Sequence, residues 1–307
     1  MLDFENWPLI ETDWLGDHLT DSNVRIVDAR WRGDGSGYRL YEKGHIPGAV
    51  YLDWHKDLNH RVGRVEDLLL PPDKFATVME RSGIDNRSLV IAYADLDHSG
   101  AARLWWALRL YGHPQVAVLN GGIDKWIAED RPLSKEVEQP APTDFRPDPQ
   151  PEWLATLQEI RRAVAEPATN VHFIDTRPPE QYIGEAVWTP LGSRFLESGQ
   201  DWLLIGGQRM RAGHIPGARH LESSGNLDPA SNWTYLPRAE LRQRAVDAGV
   251  SPEKRVVTYC GVGISGSLGL FALYLAGFRD LSLYDASWSE WGTNPDNPVE
   301  KEITHQD

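Results

Sequence analysis

With 307 residues, 41% of them hydrophobic and 25% charged, the chain is long enough for one large domain or two ordinary ones and apolar enough to bury a core. A net charge of -14 sets it against nucleic acid and anionic membrane surfaces, both of which attract proteins through Lys and Arg. A single cysteine excludes an intramolecular disulfide, and ten histidines without CxxC or HExxH spacing offer no zinc site; the sequence suggests no other metal and no organic cofactor.

The opening stretch MLDFENWPLIETDW has no basic segment followed by an apolar one, and no apolar run approaches the roughly 20 residues that span a bilayer, so a cytoplasmic, membrane-free protein is expected. Apolar runs then alternate with amphipathic stretches. RIVDA (25–29), LVIAYA (89–94) and VAVLN (116–120) read as buried strands bounded by turn residues, with helices over Pro72–Arg81 and Gly100–Tyr111. Prolines at 140, 142, 147, 149 and 151 make 136–151 too rigid and too poor in donors for a sheet or helix interior, which marks a linker. Beyond it, helices are expected over Leu154–Ala165, Pro237–Ala248 and Ser265–Ala276, and strands at HFIDT (172–176), VVTYC (256–260) and LSLYD (281–285). Such alternation implies mainly parallel sheets covered by helices on both faces, with ligands at the carboxyl ends of the strands.

The two halves are copies of one plan. VRIVDARW (24–31) is similar to VHFIDTRP (171–178), KGHIPGAVYLD (43–53) to AGHIPGARHLE (212–222), and NGGIDKW (120–126) to DASWSEW (285–291). Asp28 and Asp175 lie 147 residues apart but Lys43 and Ala212 lie 169 apart, so the second copy carries about 22 extra residues between Arg177 and Gly213. A period this long makes each copy a domain, expected at 1–135 and 152–307 around the linker 136–151.

Cys260 stands where the strand VVTYC meets a glycine-containing turn and the helix after it. Gly261 and Gly263 let the backbone curl through conformations with φ > 0, and Ser265 can cap the helix, so that N–H groups converge into an anion nest. Such a nest lowers a thiol pKa and makes a nucleophilic thiolate available. The competing reading of a lone cysteine as a small core residue explains none of these neighbours. The first copy has Ala94 or Asp95 at the corresponding position, depending on where a gap falls, and neither carries sulfur.

The DAR…GHIPGA and DTR…GHIPGA pairs, the loop Y-C-G-V-G-I-S and the closing NGGIDKW and DASWSEW resemble the two-domain rhodanese family of sulfurtransferases over nearly the whole chain. The resemblance implies two rhodanese-like α/β domains, the first non-catalytic and the second catalytic, with Cys260 carrying sulfur as a persulfide. It implies that Gly261, Val262, Gly263, Ile264 and Ser265 bind the substrate. The partners implied are a small anionic sulfur donor and an external acceptor: cyanide, a low-molecular-weight thiol or a thioredoxin-like thiol. The neutral loop resembles the 3-mercaptopyruvate branch more than the thiosulfate branch, with thiosulfate as the alternative main donor.

Anion capture directs attention to Arg177, Arg194, Arg209 and Arg211, with Arg177 and Arg211 taken as substrate-binding and Arg211, next to GHIPGA, the foremost. Gln181 departs from the branch, which has an arginine there. Asp28 and Asp175 are expected to fix loops, and His45, His214 and Arg30 to serve turns and strand ends. A cysteine phosphatase is disfavoured, because position 266 is glycine where that chemistry needs arginine, and a silent binding module has no use for the cysteine and its glycines.

Overall fold

The computed structural model describes residues 4, 6–166 and 170–301. In the first half, β1 (Leu9–Ile10), α1 (Thr12–Asp17), β2 (Val24–Asp28), α2 (Ser36–Lys43) and β3 (Ala49–Tyr51) lead into a hairpin of β4 (Asn59–Val62) and β5 (Val65–Leu69). Then come α3 (Pro72–Arg81), β6 (Leu89–Tyr93), α4 (Ser99–Leu110), β7 (Val116–Leu119) and α5 (Gly122–Ala128). Residues 135–150 form neither helix nor strand.

The second half opens with α6 (Leu157–Ala165), β8 (Val171–Asp175) and α7 (Pro179–Tyr182). The extra residues that follow fold as two antiparallel hairpins, β9 (Ala186–Thr189) with β10 (Gly192–Phe195) and β11 (Trp202–Ile205) with β12 (Gln208–Arg211). The order continues with β13 (Arg219–His220), the short pair β14 (Leu227–Asp228) and β15 (Thr234–Tyr235), α8 (Arg238–Asp247), β16 (Arg255–Tyr259), α9 (Ile264–Leu275), β17 (Leu281–Leu283) and α10 (Ser287–Trp291).

The chain forms two compact units: residues 1–60, 69–151 and 226–237 make the first, and 61–68, 152–225 and 238–307 the second. The first holds a parallel sheet in the order β1-β7-β6-β2-β3, the second a parallel sheet in the order β13-β8-β16-β17. All five residues of β6 are buried, as a strand covered on both faces requires. Every residue of α4 except Arg109 and every residue of α9 except Ser265 is buried, so these helices are mostly apolar because they are packed nearly all round.

The helix expected from Leu154 begins later, at Leu157. Thr156 ends the extended segment, its hydroxyl accepting the Glu159 N–H at 3.3 Å while the Glu159 carboxylate accepts the Thr156 N–H at 2.7 Å, a reciprocal cap that fixes the first turn. Among the described residues, no helix is long and apolar enough to cross a membrane, and no group of His, Cys, Asp and Glu could hold a metal ion.

Candidate active site

The two sheets share a register. Asp28 pairs with Tyr93 in the first and Asp175 with Tyr259 in the second, and in each case the tyrosine carbonyl accepts the N–H of the residue after the aspartate, Ala29 at 2.8 Å and Thr176 at 3.0 Å. The residue after the tyrosine is therefore Ala94 in one unit and Cys260 in the other. The bond that follows agrees: the Ala94 carbonyl accepts the Ile123 N–H at 3.0 Å, and the Cys260 carbonyl accepts the Trp288 N–H at 2.9 Å. The first unit's loop is one residue longer, since α4 starts at Ser99 whereas α9 starts at Ile264.

Cys260 is 2% exposed at the carboxyl end of β16. Its N–H donates to Ser287 Oγ at 3.0 Å, and Ser287 Oγ in turn donates to the Tyr284 carbonyl at 2.8 Å. The Gly261 carbonyl accepts the Ser289 N–H at 2.9 Å, and the Gly263 carbonyl accepts both the N–H and the hydroxyl of Ser267, at 3.0 and 2.7 Å. The carbonyls of Cys260, Gly261 and Gly263 are thus engaged. The donors are not: none of the backbone N–H groups from Gly261 to Gly266 has a hydrogen-bond partner among the described residues. A turn and first helical turn whose donors outnumber its open acceptors, beside a thiol, attract negative charge.

Two expectations about this loop are corrected. Gly263 does take the left-handed conformation, φ 80° and ψ -7°, as the N-cap of α9, but Gly261 does not have a positive φ. Gly261 is needed for room: a Cβ there would run into the indole of Trp188, on β9, meeting Nε1, Cδ1 and Cε2. Nor does Ser265 cap the helix. The cap position belongs to Gly263, Ser265 is the second helical residue, and its hydroxyl has no partner among the described residues.

The matching loop of the first unit is closed by its own carboxylates. Leu96 N–H donates to Asp124 Oδ2 at 2.8 Å, Ser99 N–H donates to Asp97 Oδ1 at 3.1 Å, and Asp95 pairs with Arg32 at 2.5 Å. Desolvation by burial raises the Asp124 carboxyl above the ordinary value. With alanine in place of the thiol and acids on the N–H groups, this loop has neither a sulfur carrier nor a vacancy for an anion.

The arginines are placed otherwise than expected. Arg177 is 1% exposed, its Nε donating to Asp175 Oδ1 at 2.9 Å, its Nη2 to Asp175 Oδ2 at 2.5 Å and to the Gly213 carbonyl at 2.7 Å, with the guanidinium 4.4 Å over the Trp288 ring. Burial works against its charge. Asp175 more than offsets this, and Tyr259 and Cys260 add to the same side, so its pKa is raised. Arg30 makes the same bonds to Asp28 and to the Gly44 carbonyl in a unit without the cysteine, which identifies the pair as a strand-end brace. One feature sets Arg177 apart in use: its buried Nη1 has no hydrogen-bond partner among the described residues.

Arg211, taken as the foremost substrate arginine, donates instead to four backbone carbonyls, those of Trp291, Gly292, Asn294 and Asn297, at 2.6 to 3.0 Å. That polypeptide loop has unpaired carbonyls after α10, and a fork of N–H donors satisfies them. Burial first, then Arg209, lowers its pKa. Arg209 lies 4.4 Å over the Trp202 ring in the outer hairpin. Gln181 is buried, its Nε2 donating to Ser193 Oγ at 2.9 Å. His45 and His214 bond the carbonyls of Tyr41 and Tyr182 at 2.7 and 2.8 Å, the turn role expected of them.

Two residues at the loop were not singled out in the sequence. Ser287 had a signal, since it aligns with Gly122, and both take the left-handed conformation, at φ 52° and 51°. Trp188 had none, because it lies in the insertion and has no counterpart in the first copy.

The profile of the Rhodanese-like domain matches the chain twice, over residues 11–129 and 151–294. The chain is 30% identical over 302 residues to the 3-mercaptopyruvate sulfurtransferase of Escherichia coli K12, covering 95% of this chain and 97% of that one. It is 33% identical over 297 residues to the thiosulfate sulfurtransferase of Corynebacterium glutamicum, covering 95% and 90%. Its fold is similar to the crystal structure of SseA from Escherichia coli, with a TM-score of 0.77 at 26% identity over 92% of this chain and 99% of that one.

Proposed function

This chain belongs to the rhodanese family and is a sulfurtransferase, and on that premise we propose that Cys260 is its sulfur carrier and that Gly261, Val262, Gly263, Ile264 and Ser265 form the substrate loop. The observation that carries this reading is the imbalance at the loop, where the N–H groups of Gly261 to Gly266 lack partners among the described residues while the carbonyls of Cys260, Gly261 and Gly263 have them. A persulfide anion on Cys260 would find donors there without displacing any internal bond.

The chemistry is a double displacement. With 3-mercaptopyruvate, the Cys260 thiolate attacks the donor sulfur, an S–S bond forms, the carbon–sulfur bond breaks with its electron pair on carbon, and that carbanion takes the thiol proton to leave pyruvate. With thiosulfate, the bond between the two sulfurs breaks and sulfite departs with the pair. A thiolate or cyanide then attacks the outer sulfur and restores the Cys260 thiolate. The acceptor is external, because the chain holds no second cysteine.

For the donor, 3-mercaptopyruvate is favoured over thiosulfate, since the loop side chains include no cation to sit beside a compact dianion. Intact-mass measurement after exposure to each donor tests the reading. Wild type gains one sulfur atom and Cys260→Ser gains none; a gain in the serine variant, or none in wild type with either donor, overturns it.

A further inference from the structure

The arginines expected to hold the donor are engaged, Arg211 by carbonyls and Arg177 by Asp175, and the family's arginine is replaced by Gln181. We propose that Trp188, a residue of this chain's own insertion, contacts the sulfur donor, its indole N–H binding the donor's carboxylate beside Cys260. The inference rests on Cys260 being the sulfur carrier.

Position is the first support. The five-membered edge of the indole, with Nε1 foremost, lies against the Gly261 backbone so closely that no Cβ fits between them. The N–H edge of Trp188 therefore faces the residue that follows the thiol.

An unused donor is the second. Buried tryptophan N–H groups normally find an acceptor. Trp126 donates to the Pro132 carbonyl at 2.8 Å, Trp288 to that of Arg211 at 2.9 Å and Trp291 to that of Pro298 at 2.9 Å. Trp188 is only partly buried, and its N–H has no partner among the described residues. It is a free donor at the edge of the loop, next to free backbone donors and the unbonded Ser265 hydroxyl.

The third is that the ring is held in place. Trp188 sits opposite Ser193 in the β9–β10 hairpin, and Ser193 is fixed by the Gln181 amide at 2.9 Å and by its own bond to Glu180 at 2.5 Å. Gln181, standing where an arginine is usual, thereby anchors the hairpin that carries the indole. A rigid neutral donor suits a monocarboxylate whose reacting sulfur lies at its other end, whereas a compact dianion fits within reach of the backbone N–H groups.

Trp188→Phe keeps the packing and removes the N–H. We expect KM for 3-mercaptopyruvate to rise about ten- to hundredfold, the range for a lost hydrogen bond to a charged group, with kcat within about twofold and thiosulfate kcat/KM within about threefold. Trp202→Phe, in the outer hairpin, leaves both donors unchanged. Unchanged kinetics in Trp188→Phe, or an equal loss with both donors, overturns the proposal, the latter because it would mean that the ring only shapes the loop. Persulfide formation by wild type is measured alongside; its absence would instead count against Cys260. As a check on the contact itself, Gly261→Ala is expected to lose most activity alone and to regain part of it when combined with Trp188→Ala. Additive losses in the double variant sink the geometry on which the proposal stands.

Discussion

At the residue scale the loop depends on groups that hold Cys260 without reacting. Ser287 is one of them. It keeps a left-handed backbone at φ 52° where the first unit has Gly122 at 51°, a conformation that costs a non-glycine residue about 1 kcal/mol or more. What offsets this is its hydroxyl, which accepts the Cys260 N–H and donates to the Tyr284 carbonyl. Ser287→Gly relieves the strain but leaves the Cys260 N–H without its acceptor. Its stability should change by less than about 1 kcal/mol while kcat/KM falls on the order of tenfold, whereas Ser287→Ala, which keeps the strain and loses both bonds, should lose about 1–3 kcal/mol as well. Chemical denaturation and donor kinetics on the two variants decide it, and equal activity in Ser287→Gly and wild type would remove Ser287 from the loop's support.

At the element scale, one strand–turn–helix unit occurs twice with opposite outcomes. β6 feeds α4 through Asp95, Leu96, Asp97 and His98, where Leu96 and His98 have positive φ and carboxylates occupy the N–H groups. β16 feeds α9 through two glycines, and the N–H groups have no partner among the described residues. Gly263 is the hinge of the second arrangement. Gly263→Val places a β-branched residue at φ 80° and should cut kcat/KM at least about a hundredfold, while Val262→Ala should stay within about threefold. Near-normal turnover in Gly263→Val would show that the turn geometry does not matter. The buried strands, α4 and α9 are legible in the sequence because burial on both faces or nearly all round writes a long apolar run. By contrast, α3 and α8 bury only one side, Phe75, Ala76, Val78 and Met79 in the first and Leu241 and Ala245 in the second, and are legible as mixed polar and apolar stretches between turn residues. α2, SGYRLYEK, is polar and short, α7 and α10 have 4 and 5 residues, and the insertion hairpins have no second copy for comparison. Cys260 and Gly263 are readable from local pattern. The contact of Trp188 with Gly261 and the clamp of Arg211 on 291–297 are made by residues far apart in sequence, so composition and spacing carry no trace of them.

At the scale of the whole molecule, duplication has copied the way charge is buried, the Asp28–Arg30 pair reappearing as Asp175–Arg177, but each unit also buries histidines of its own. His98 and His113 in the first and His172 in the second are all held below the ordinary histidine value, by burial foremost. For His172 the value is about 4 against 6.5, with Arg219 and Lys254 adding to the effect. Its Nδ1 accepts the Ser251 N–H at 3.2 Å, a bond that only the neutral ring can keep. The sign follows from proton binding. Below 6.5 the unfolded chain takes up a proton at this site that the folded chain refuses until about 4, so stability is fully present above 6.5 and is lost as the pH falls through that window. One site contributes at most about 1.4 kcal/mol for each pH unit crossed, less where solvent screens it, which for a chain of this size is a shift of about 2–4 °C or less per unit. His172→Asn keeps an acceptor for the Ser251 N–H and removes the titration. Its melting temperature should therefore fall less than that of wild type between about pH 7 and about pH 5, with the two proteins converging as the pH drops. Parallel falls in the two proteins would mean that His172 does not titrate on unfolding and that the acid limb belongs to His98, His113 and the carboxylates whose values the fold lowers, Asp85 and Glu159 among them.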